Sequence, residues 1–392
     1  MPVAKKAAKK AAKKAPAKRA RATAIEAAPL PAARESVPIG LDDVLGQERA
    51  LGVLEASLRS GRLHHAWVFH GPEGVGKFTT ALAFAAVLLD PAAGPDGAGR
   101  VRPDPDSPAQ RLLRAGSHPD LHVVRKELAS VSREDTVRAS KQTTLAKDVV
   151  DEFLIEPAER TRVVPGDSRA GKVFVVDEAH LLGVEAQNSL LKTIEEPPEG
   201  TVIVLVTPSE DRLLPTIRSR CQRVPFGPLS EAAMQAWIAR SGIDLSTLDV
   251  PWALAFAGGS PGVLSAIVET GLERWHQAVG PAIAELQRGV GVIELGSLLA
   301  KLVDDAAAAA VEGDVRASKD VANRVAARRM LRLLGEAFRA ELRRAAAVGR
   351  EPEAEWATGC IELVEQSERQ LDSNVSMGLI FENLAAQCVA VR

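Results

Sequence analysis

The stretch Trp67-Val68-Phe69-His70-Gly71-Pro72-Glu73-Gly74-Val75-Gly76-Lys77-Phe78-Thr79 decides how this chain is read. A short apolar run leads into a glycine-rich turn and a lysine, and the helical stretch 79–90 follows. Strand, loop and helix in that order are the context a phosphate-binding loop requires. The glycines let successive backbone N–H groups point into one concavity. The helix N-terminus adds partial positive charge, and Lys77 reaches for the outer phosphates. One position departs from the pattern. After the lysine such loops carry Ser or Thr, whose hydroxyl ligates Mg²⁺, and here the residue is Phe78. Thr79 is one residue on, turned by about 100° around the helix, so its hydroxyl is expected to point elsewhere.

Two further motifs lie downstream. Val173-Phe174-Val175-Val176-Asp177-Glu178-Ala179-His180 is a buried-strand pattern ending in two carboxylates. At the carboxyl edge of a parallel sheet, Asp177 would coordinate Mg²⁺ and Glu178 would activate a water. Leu213-Leu214-Pro215-Thr216-Ile217-Arg218-Ser219-Arg220-Cys221 follows an apolar run that ends at Thr207. By itself an Arg there reads as a surface cation. As a planar, always-charged fork it could equally neutralise phosphate bound by an adjacent subunit.

The surrounding pattern from 39 to 228 alternates strand and helix. Apolar runs at Trp67–His70, Leu121–Val124, Val173–Val176, Val202–Val206 and Gln222–Phe226 are separated by helical stretches such as 79–90 and 184–195. This predicts an α/β core with a five-stranded parallel sheet covered on both faces. Residues 229–275 read as a small helical region with a turn at Gly259-Ser260-Pro261-Gly262. Residues 276–392 give no strand signal, and Met330, Leu334, Phe338 and Leu342 lie on one stripe of an amphipathic helix.

The first 38 residues are different in kind. Residues 1–23 hold seven Lys, two Arg and no acid, before a Pro/Ala connector. Like charges three and four residues apart oppose a helix, so 1–38 is expected to be a disordered tail. It either attracts DNA phosphate without sequence preference or simply solubilises the chain. The overall formal charge of −2 hides this tail, since the remainder carries −11. No apolar run approaches the ~18–20 residues of a membrane span, and the N-terminus has no apolar core of a secretory signal. Cys221, Cys360 and Cys388 are too dispersed for a disulfide framework, pointing to a reducing cytoplasm. With no Tyr and 4% aromatics, a surface of base-stacking platforms is not expected.

Taken together, these residues resemble the bacterial clamp-loader subunits of the AAA+ ATPase class, and within it the delta-prime type of DNA polymerase III. The resemblance runs through Val44-Leu45-Gly46-Gln47, Arg62-Leu63-His64-His65-Ala66, His118-Pro119-Asp120-Leu121, Asn188 to Pro198, Leu213 to Cys221 and Gly259 to Gly262. It implies an AAA+ core (39–228), a helical lid (229–275) and an all-α collar (276–392) that joins five subunits in a ring. It implies that Arg220 is presented to ATP on a neighbouring ATPase subunit and that Thr207 is a polar sensor. The Val44–Gln47 segment, with Val44 and Gly46, would line an adenine pocket. Gly71, Gly74, Gly76 and Lys77 would cradle phosphate. Implied partners are gamma/tau and delta subunits, the sliding clamp and primer–template DNA.

Three departures from the ATP-hydrolysing gamma/tau relatives point one way. Phe78 removes the metal hydroxyl, and Gly259–Gly262 lacks the second sensor Arg. The four zinc-binding cysteines are missing from 91–117, a segment expected to be a floppy loop without zinc; His118 and His122 lack any thiol beside them. ATP is expected to bind at most, with little turnover. The alternatives are a gamma/tau-like subunit that hydrolyses ATP itself, and a DNA-binding accessory factor acting through the tail.

Overall fold

The computed structural model describes residues 40–138, 144–290, 294–312, 319–371, 373 and 375–392. The basic tail and connector (1–38) and the break expected at Asn374 lie outside them. The chain divides into two compact units, Met1–Leu229 and Ser230–Arg392.

Among the described residues of the first unit, seven strands occur: β1 (Ala66–His70), β2 (Gly94–Pro95), β3 (Val101–Arg102), β4 (Leu121–Val124), β5 (Lys172–Val176), β6 (Thr201–Thr207) and β7 (Gln222–Pro225). Five form one sheet in the order β4-β5-β6-β1-β7, with all four pairings parallel. Parallel strands need crossovers, and helices supply them on both faces. Burial of β5 and β6 is complete along their lengths, which is why they read as continuous Val, Ile and Phe rather than as alternating patterns. On one face Val68, Phe174, Val176, Ile203 and Leu205 pack with Val149, Leu154, Leu190 and Ile194. On the other, Trp67 and Phe69 meet Phe84 of the helix Lys77–Leu89, with ring centroids 5.3 and 6.5 Å apart. Each such buried side chain contributes roughly 1.5–3 kcal/mol.

The register puts the functional segments side by side. His70 is level with Thr207, and Val124 with Val176, so the segments that follow β1, β4, β5 and β6 emerge at the same carboxyl edge. Chain crossovers open a crevice at such an edge in α/β sheets.

Residues 91–117 are not a floppy loop. They form the β2–β3 hairpin and the helix Pro108–Arg114, whose Ser107 cap accepts from the Gln110 amide at 3.0 Å. The anchor is Asp90, fully buried, which accepts from the Ala92 and Asp104 amides at 3.0 and 2.9 Å and lies 3.5 Å from Gln110 Nε2. Arg102 ties the hairpin to Asp42 and Glu55 and pairs with Asp96 within it. Pro, Gly and Asp richness suggested a loop because the polar network that fixes it is invisible to periodicity. His118 and His122 serve packing: the His118 ring accepts from the Asp120 amide, and His122 stacks on Phe174 at 4.6 Å.

The second unit is helical throughout its described residues. Glu231–Ser241, Val250–Ala257, Pro261–Thr270 and Leu272–Gln287 come first. Leu295–Glu312, Lys319–Ala347, Glu351–Gln370 and Met377–Ala390 follow. Met330, Leu334 and Phe338 are buried on the stripe expected of them, with Phe338 edge-on to Trp356 at 5.6 Å. In the turn 259–262, Ser260 caps the helix Pro261–Thr270 by accepting from the Val263 amide.

Candidate functional site: a phosphate loop beside paired carboxylates

The loop between β1 and the helix Lys77–Leu89 has the backbone its sequence predicts. Gly71, Gly74 and Gly76 take φ values of 142°, 72° and 97°, which side chains rarely adopt. At Gly71 space is also limiting, since a Cβ there would lie 2.2 Å from the Phe226 carbonyl oxygen. Lys77 is buried, and its amine donates to the carbonyls of Gly71 (2.7 Å) and Pro72. Burial lowers its pKa to about 8, opposed by the neighbouring charges of Glu73 and Asp177. That coupling brings the loop and the tip of β5 into one electrostatic site.

Gln47 is the residue the sequence reading passed over. Its buried amide donates to Val75 O (3.0 Å) and Gly227 O (2.8 Å), while Oε1 accepts from the Gly227 amide. It locks the phosphate loop to the segment leaving β7. Its neighbour Val44 is buried, and Gly46 turns the chain with φ 68°. The signal was its polarity at the edge of the Val44–Gln47 segment, but a long-range amide has no local pattern.

Asp177 and Glu178 lie just beyond β5, and cations from just beyond β4 meet both. Arg125 Nε is 3.1 Å from Asp177 Oδ2, a close ionic contact whose N–H is not aligned on the oxygen. Lys126 Nζ is 2.8 Å from Glu178 Oε2 and 3.0 Å from Oε1. Burial raises the Asp177 carboxyl pKa, the Arg125 charge opposes that shift, and Glu178 adds to it. Glu178 has a left-handed backbone (φ 50°), unique among non-glycine described residues, and its amide donates to Asp177 Oδ1 at 3.0 Å. Such conformations cost about 1–3 kcal/mol and gather at functional sites. The Arg125 guanidinium also covers the Phe78 ring, 4.2 Å from its centroid.

These residues do not fit a Mg²⁺ ion. The position that would supply a hydroxyl is an aromatic ring, and Asp177 already faces a fixed cation. The backbone cradle and Lys77 do suit phosphate.

Thr207 and Arg220 stand apart from these pairs. Thr207 is buried, with Oγ1 donating to Ser209 O at 2.8 Å in the turn after β6. Arg220 precedes the edge strand β7. Its Nη1 donates to Thr216 O (3.0 Å), and its Nη2 lies 2.9 Å from Glu195 Oε1 at the end of the helix Val184–Glu195.

Residues 46–230 match the family model described as DNA polymerase III, delta subunit. Those residues are similar to the DNA polymerase III delta-subunit family over just under half of the chain. Curated relatives agree. The delta′ subunit of Pseudomonas aeruginosa is 34% identical over 197 residues, covering 50% of this chain and 53% of that protein. For the Escherichia coli K12 delta′ subunit the values are 32% over 217 residues, 55% and 58%. The gamma/tau subunit of Mycobacterium tuberculosis H37Rv is 32% identical over 237 residues, 58% of this chain and 36% of that one. The matches thus span less than two thirds of these relatives' lengths. A gamma subunit-related protein of Thermotoga maritima aligns in structure with a TM-score of 0.43 and 14% identity, covering 86% of this chain and 99% of that one. Delta-prime and gamma/tau clamp-loader subunits are thus what these residues match in sequence, and the five-stranded parallel sheet is the α/β core that the resemblance implies.

Proposed function

We propose that the chain is the delta-prime-type stator of a DNA polymerase III clamp loader, supplying Arg220 in trans to ATP held by a neighbouring gamma/tau-type subunit. The single observation that supports this most is the placement of Arg220, half-exposed just ahead of the edge strand β7 and held by an exposed ion pair with Glu195 and a bond to the Thr216 carbonyl. A guanidinium delivered to a neighbour's phosphates stabilises transition-state charge. The chain's own nucleotide site would bind without turnover. Lid (229–275) and collar (276–392) would join it to gamma/tau and delta subunits in a five-membered ring that loads the sliding clamp at primer–template DNA. A cytoplasmic setting follows from that role, and no helix among the described residues is long and apolar enough to cross a membrane. The test is Arg220→Ala in the reconstituted complex: ATP turnover collapses while assembly persists, and unchanged turnover overturns the assignment.

A second reading has one specific support, the retention of Lys77, Asp177 and Glu178 at one sheet edge, as a gamma/tau-like motor needs. ATP hydrolysis by the purified chain, lost on Glu178→Gln, would establish it.

A further inference from the structure

The residues that fail to fit a divalent metal form a unit of their own. Phe78 directly follows Lys77, at the first turn of the loop helix. Asp177 lies just beyond β5, two strands across the sheet from β1. Arg125 bridges the two, with its Nε on the carboxylate (3.1 Å) and its guanidinium carbon 4.2 Å from the ring centroid. We propose that Arg125 is the resident cation of this nucleotide site, standing where a divalent metal would otherwise be shared between residue 78 and Asp177, so that the site takes a nucleoside polyphosphate free of metal.

Three physical points carry this. A guanidinium stacks on an aromatic face, which a hydrated metal ion does not do, so Phe78 is suited to Arg125. One carboxylate cannot serve a fixed guanidinium and a divalent ion together without bringing two cations into contact. And among the described residues the terminal nitrogens of Arg125 make no hydrogen bond, leaving a planar set of donors of the geometry that phosphate oxygens accept. Lys126 on Glu178 extends the pattern, since it holds the carboxylate that would otherwise activate a water. Phosphate charge would then be met by Lys77, the loop amides and Arg125, a complement that binds but offers nothing to drive hydrolysis. The inference rests on the chain being a nucleotide-loop protein and not on Arg220 acting in trans.

The experiment is calorimetric titration of the full chain with ATP, once with EDTA and once with excess Mg²⁺. Expected for the native chain is a Kd in EDTA equal to or tighter than in Mg²⁺. Arg125→Ala is expected to weaken binding in EDTA at least about tenfold, the loss of one charge-assisted contact. The double variant Phe78→Thr, Arg125→Ala should reverse the preference and bind ATP more tightly with Mg²⁺. A general structural role for Arg125 would weaken both conditions alike and leave their ratio unmoved. If Arg125→Ala does not fold, Arg125→Lys, which keeps charge but loses the fork, serves in the same ratio. Binding that requires Mg²⁺ in the native chain, an unchanged EDTA Kd in the Arg125 variant, or no ATP binding in either buffer overturns the proposal. The Arg220 experiment can fail or succeed without touching any of these outcomes.

Discussion

Arg220 Nη2 and Glu195 Oε1 lie 2.9 Å apart, joining two side chains that are 42% and 47% exposed. An ion pair in that much water is worth only about 0.2–1 kcal/mol. It orients the guanidinium and is weak enough for phosphate to displace. We expect Arg220→Ala to leave the chain's melting temperature nearly unchanged while lowering turnover of the assembled complex by about 10³–10⁵. Arg220→Lys should not restore it, because a point charge does not reproduce the fork. Glu195→Ala should leave turnover intact or raise it.

Gln47 makes three hydrogen bonds from a buried amide. Its removal leaves the Val75 and Gly227 carbonyls without that partner, at about 1–3 kcal/mol per buried group. Gln47→Ala should therefore lower the urea midpoint markedly and weaken ATP binding with it. Gln47→Glu should do at least as much harm, since it replaces the donor that both carbonyls need with an acceptor. A variant as stable as the native chain would remove the amide's locking role.

Lys77 gives a pH signature. Its folded-state pKa, about 8, lies below the ordinary value of 10.5 because burial disfavours the charged amine. Between those values the unfolded chain holds more proton than the folded one, so stability rises with pH across that window. Lys77→Met should flatten this slope, seen as the native-minus-variant difference in urea midpoints from below pH 8 to above pH 10. Phosphate affinity should run the opposite way and fall above pH 8 as the amine loses charge. A slope identical in both proteins would contradict the buried amine.

Asp90 organises the segment 91–117 through buried hydrogen bonds. Asp90→Ala should cost about 2–4 kcal/mol, since two amides lose a charged acceptor in the interior. Prolonged EDTA treatment should leave the native melting curve unmoved. A chelator-induced drop would reveal a metal that the polar network does not account for.

The sheet and phosphate loop were legible because each rests on short-range signals: Val-rich runs, glycines at positive φ, a lysine at a helix start. The opposing pairs were harder to see. Arg125 and Lys126 meet Asp177 and Glu178 because β4 and β5 are parallel neighbours with Val124 level with Val176. Two bases after one strand and two acids after another become a pattern only when strand adjacency is known. Phe78 had the same fate. Sequence marked it as a lost metal ligand, and only the stacking on Arg125 gives it an occupation of its own. The order within 91–117 escaped because Asp90 and Gln110 act through backbone amides scattered along the chain.

The Gln47 amide spans 180 residues of sequence to reach Gly227. Its partner therefore does not exist until the first unit is almost fully synthesised. At ~5–20 residues per second, a ribosome leaves Gln47 waiting about 10–40 s for Gly227. During that interval the nascent phosphate loop lacks its clasp, and the site becomes competent only as the last strand of its own unit arrives.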